Sequence, residues 1–154
     1  MNKILIVILA LSTIFAACGK NNYETKPQVK VKSTNGNVIP AVGDAVLATT
    51  FEFTDKEGDL GQGELVYYLE LLNKRQLVNP GSKYQPISVP VPEFPDKSKG
   101  EMELRLQRSN IYLDIVAPPN QDKNDTIIVR VVVKDRAGNI SDTARSEPII
   151  LLGQ

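Results

Sequence analysis

Histidine and tryptophan are absent from this sequence, and cysteine occurs once, as Cys18. Without histidine the commonest general base and the commonest metal ligand are missing. Neither a Ser-His-Asp triad nor a Cys-His pair can be assembled, and zinc sites of the Cys/His kind are excluded. A single cysteine cannot form an internal disulfide, so the fold must stand on packing. Net charge is lacking too, since 18 basic residues balance 18 acidic ones. No basic stripe with interleaved aromatics occurs, which speaks against nucleic acid as a partner. No apolar run approaches the roughly 20 residues that a spanning helix needs. Carboxylate-only chemistry, as in a glycosidase pair, stays open. No feature marks the deep cleft it would require, and the chain is read as non-catalytic.

What is present begins with address. Met1-Asn2-Lys3 is a short positive segment, followed by an apolar stretch from Ile4 to Phe15 and the small pair Ala16-Ala17 just before Cys18. The order is that of a secretory signal. Ending on Cys18, it resembles the lipobox of bacterial lipoproteins; Phe15 stands where Leu is commonest, a looseness that lipoproteins of the Bacteroidetes type tolerate. The resemblance implies cleavage before Cys18, a diacylglyceryl group on its sulfur and an acylated new amine. Two or more acyl chains anchor a protein stably where one does not. The expected organisation is a signal peptide over residues 1–17, a lipidated Cys18 and flexible tether over 18–26, and one domain over 27–154. The expected location is the outer membrane, lipid-anchored. The polar Lys20 to Glu24 stretch is not clearly acidic, so the periplasmic or surface side stays open.

The body of the chain reads in period two. Val29 and Val31 alternate with polar residues; Leu47, Thr49, Phe51 and Phe53 share one face; so do Leu65, Tyr67, Leu69 and Leu71. Ile87, Val89 and Val91 alternate with Ser88, Pro90 and Pro92, which suits an edge strand or an extended connection. Met102, Leu104 and Leu106 form a strand with one wet face, and Ile111, Leu113 and Ile115 predict another. Thr126 to Val133 is β-branched almost throughout and predicts a central strand. Pro148 to Leu152 predicts a last strand. Turn chemistry at Ser33–Gly43, Asn79-Pro80-Gly81 and Asp135–Asn139 separates them. The expected fold is all-β, a sandwich of seven to eight antiparallel strands without a helix.

Two segments carry a closer likeness. Val131 to Ser141, with Asp135-Arg136-Ala137-Gly138-Asn139, resembles the final hairpin of bacterial Ig-like domains. Phe51-Glu52-Phe53-Thr54-Asp55-Lys56-Glu57-Gly58-Asp59-Leu60-Gly61 resembles a segment of small Ig-like surface lipoproteins in Bacteroidetes, with Glu57 where that pattern usually has Asp. The resemblance implies an Ig-like (cadherin- or fibronectin-like) sandwich at the cell envelope. Related modules serve adhesion, carbohydrate capture and spacing, so the expected partner beyond the membrane is an envelope protein or a glycan. An accessory role in an outer-membrane uptake or adhesion complex is the second expectation.

Three kinds of site follow from the residues. Asp55, Glu57 and Asp59 place carboxylates at alternate positions around Gly58, a set of hard oxygen donors suited to Ca²⁺. In a sandwich this loop and the later hairpin can share one end, where Asp135, Asn139 or Asp142 would complete the shell. The competing reading is a solvated turn in which Asp55 and Asp135 cap their own backbones. Asp125-Thr126-Ile127 and Asp142-Thr143-Ala144 resemble the Bacteroidetes O-glycosylation motif, which marks Thr143 and Thr126 as acceptors. Tyr67 and Tyr68 offer either a ligand platform or one core and one rim ring. The apolar end at Ile149–Leu152 could pair with a partner strand or complete the domain's own sheet.

Overall fold

In a computed structural model of the chain, the described residues are 25–42, 44–73, 86–115 and 122–153. The signal segment, Cys18, most of the tether and the Asn79-Pro80-Gly81 turn lie outside them. The described residues form two packed sheets. The smaller has the order β1-β3-β6, from β1 (Gln28–Thr34), β3 (Val46–Thr54) and β6 (Lys99–Gln107). The larger has the order β2-β9-β7-β4-β5, from β2 (Val38–Ile39), β9 (Ile149–Leu151), β7 (Asp125–Lys134), β4 (Glu64–Leu71) and β5 (Ile87–Pro90). A two-residue strand, β8 (Ala144–Arg145), also pairs with β7.

The alternation expected of these strands is what the burial follows. Leu47, Phe51 and Phe53 of β3 are buried and face Leu65, Tyr67, Leu69 and Leu71 of β4 and Val129, Val131 and Val133 of β7 across the core. β7 is central and paired on both sides, and β5, with Pro90, is an edge. The chain is an all-β sandwich, as expected. Its described residues hold nine strands rather than seven or eight, and the pairs are not all antiparallel. β2, within the stretch expected to be only turn, runs parallel to β9 with Val38 opposite Ile150.

The strand expected over Ile111–Ile115 is a helix, α1 (Arg108–Ile115). Among the described residues β6 pairs only with β3, and that ladder ends at Val46 opposite Gln107. The Arg108 amide still reaches the Ala45 carbonyl at 2.8 Å, but past it β3 offers no further partner among the described residues, and the backbone turns into a helix. Positions 111 and 115 are four apart, a spacing that suits a helix face as well as an alternating strand. Ile111 is fully buried.

The chain alongside β7 is a strand interrupted twice. The Ser141 and Ser146 hydroxyls accept hydrogen bonds from the Val133 and Val129 amides at 2.9 and 3.0 Å. Each hydroxyl then donates to the next residue's carbonyl, of Asp142 and Glu147. A serine thus stands in for the missing backbone carbonyl on the ladder, and both serines are buried.

Register gathers the loops. Gln28 pairs with Thr54, and Thr54 with Lys99, at one end of the smaller sheet. Glu64 pairs with Pro90 and with Lys134 at one end of the larger. The segments 55–63 and 91–98, which cross between sheets, and the turn 135–139 therefore converge on the same end of the sandwich. That is also the end where the chain enters from its N-terminal segment.

Candidate functional site

Loop 55–63 is held by its neighbours on both sides. The Asp55 amide donates to the Ser98 carbonyl at 2.9 Å, and the Lys97 amide to the Gly58 carbonyl at 3.2 Å. Gly58 has φ +74°, open to glycine at little cost. At Gly63 a Cβ would lie 2.2 Å from the Lys134 carbonyl oxygen, so only glycine lets the loop press against the end of β7. Leu60 plugs the core beneath, fully buried. Gln62 sits at φ 65°, a left-handed conformation that a side chain rarely adopts.

This clamp brings Asp55, Asp59 and Asp135 together. Each contributes one carboxylate oxygen to a cluster in which all lie within 4.8 Å of one another. The three are not equivalent. Asp135 caps its own turn, accepting from the Asn139 amide at 2.7 Å and from Asn139 Nδ2 at 2.8 Å. Asp55 is only 2% exposed, yet neither of its carboxylate oxygens has a hydrogen-bond partner, and Asp59 Oδ1 is likewise buried and unpartnered. The capping account therefore holds at Asp135 and fails at Asp55. Burial, followed by the charges of Asp59, Asp135 and Glu57, pushes the Asp55 carboxyl above its ordinary value; the nearby Asp59 backbone amide, short of hydrogen-bond geometry, opposes them and counts least. Nearby cations are engaged elsewhere: Arg136 pairs with Asp96 at 3.5 Å, and Lys97 Nζ lies 4.9 Å from the centre of the Phe94 ring.

Of the other expected ligands, Glu57 is exposed and outside the cluster, Asn139 orients Asp135, and exposed Asp142 pairs with Lys26. The turn at Gly58 explains Glu57: strand alternation does not continue through a loop that reverses. Thr143 is exposed in the irregular stretch before β8; Thr126 is half-buried within β7, opposite Ile150. Tyr67 lies in the core, and Tyr68 on the rim accepts a hydrogen bond from Arg130 at 3.1 Å, so the two do not form a platform. Ile149–Leu151 is no free edge, because β9 is flanked by β2 and β7.

Beside the carboxylates, an open groove of about 460 Å³ is lined by Gln62, Glu93, Phe94, Asp96 and Arg136 among others. Phe94 stacks on Phe53 with ring centres 5.7 Å apart. The sequence did not mark these residues as a site; the proline-rich run Ile87–Pro92 read only as an edge strand or an extended connection. Among the described residues no helix is long and apolar enough to cross a membrane. No protein-family model matches the chain, and no curated protein matches it either.

Proposed function

We propose that the protein is a non-catalytic, lipid-tethered module of the bacterial outer membrane, with an Ig-like sandwich that contacts a protein or glycan through its loop end. The address rests on the run from Met1 to Cys18. The observation that carries the binding role is the groove at that end, where an aromatic ring lies among planar polar side chains. That combination suits sugars and polar protein surfaces alike. The strained Gln62 at its wall fits the same role, since backbone strain concentrates where loops make contacts.

A specific observation favours the accessory reading over free glycan capture. β1 begins at the loop end, with Gln28 opposite Thr54. A tether over residues 18–26, even fully extended, reaches about 30 Å. The groove would therefore lie close to the membrane, within reach of other membrane-held proteins. Native pull-down from membranes followed by mass spectrometry tests this. A stoichiometric membrane partner that is lost with Arg136→Glu supports the accessory role. Binding of isolated protein to a glycan array, lost with the same substitution, supports glycan contact. Absence of both forms of binding would contradict the proposal.

A further inference from the structure

We propose that the loop end of the sandwich binds Ca²⁺ between the carboxylates of Asp55, Asp59 and Asp135. Two independent features point to an ion. The first is distance. Oxygens on one Ca²⁺ at about 2.4 Å lie no more than about 4.8 Å apart, and the three donor atoms meet that limit. The second is the orphaned Asp55. A carboxylate 2% exposed, with both oxygens unpartnered and two more carboxylates beside it, is costly unless a cation joins it. None of the ion pairs among the described residues involves Asp55, Asp59 or Asp135.

The donors also select among ions. They are all hard oxygens, which suits Ca²⁺ or Mg²⁺ rather than softer metals. Mg²⁺ needs oxygens at about 2.0–2.1 Å in near-ideal octahedral array and gives up its waters reluctantly. Three carboxylates from a loop and a hairpin, with oxygens within 4.8 Å of one another and no octahedral array imposed on them, suit the larger and more tolerant ion. Asn139 is a positioning residue here, because its two hydrogen bonds fix the Asp135 carboxylate. The ion would tie loop 55–63, which bridges the two sheets, to the end of β7. The site does not depend on the lipid anchor.

The test uses the full-length protein in detergent, stripped with chelator and titrated with Ca²⁺, read by thermal melting and calorimetry. At about 10 mM Ca²⁺ the melting temperature rises by about 10 °C, the shift expected of a site that binds near 0.1 mM. Asp55→Asn abolishes the shift while melting in chelator no lower than the unaltered protein, since it removes a repelled charge. Asp59→Asn, at a less buried position, reads the same loss should Asp55→Asn fail to fold. Glu57→Gln keeps calcium affinity within about threefold, because Glu57 stands outside the cluster. An unchanged melting curve, a full calcium shift in Asp55→Asn, or an equal response to Mg²⁺ would overturn the assignment.

Discussion

Asp55 and Gly63 show how single residues set the loop end. Asp55 binds a proton more readily folded than unfolded, because burial and its acidic neighbours raise its carboxyl above the ordinary value. Between those two values the folded state holds more protons than the unfolded state, so stability falls as pH rises. Above the raised value the whole penalty is present. In chelator, the melting temperature should therefore fall more with rising pH, from about pH 4 upward, in the unaltered protein than in Asp55→Asn. Parallel pH profiles would remove Asp55 as the cause. At Gly63 the missing Cβ is steric rather than electrostatic. Gly63→Ala drives a methyl into the Lys134 carbonyl and should cost about 1–3 kcal/mol or more, measured by denaturant unfolding. Asp55 and Asp59 were legible as a pair from their spacing around Gly58. That Asp135 is the third member follows from the β4–β7 register, which couples residues far apart in sequence.

At the scale of elements, period-two patterning was enough for β3, β4, β6 and β7, because each buries one face or nearly both. It failed where the ladder rather than the side chains decides. The helix α1 begins where β3 runs out as a partner, a fact held in another segment of the chain. The broken strand along β7 was invisible because Ser141 and Ser146 look like loop residues until their hydroxyls are seen completing the ladder. Ser146→Ala should leave the Val129 amide buried without a partner and cost about 1–3 kcal/mol, whereas substitution at exposed Glu147 stays within about 0.5 kcal/mol. Denaturant unfolding of both variants checks this; equal stabilities would mean the hydroxyl is not needed. Ile111→Ala in α1 should cost about 2–5 kcal/mol, since its side chain is fully buried against the core.

For the whole molecule, the two sheets pack on one core and gather their crossing loops at one end, and the proposed tether enters at that end. The sandwich was legible from alternation and turns, and so was a shared end for the 55–63 loop and the Asp135 hairpin; the groove and the chain entry beside them were not, because they follow from which strands pair. Replacing Cys18 by Ser should move the protein out of the membrane fraction without changing its circular dichroism. The most direct measurement of the central claim is the intact mass of the protein extracted from membranes. The account predicts a chain that begins at Cys18, heavier than its amino acids by one diacylglyceryl group and one acyl chain. A chain that still carries residues 1–17, or one with a free thiol at Cys18, would contradict it.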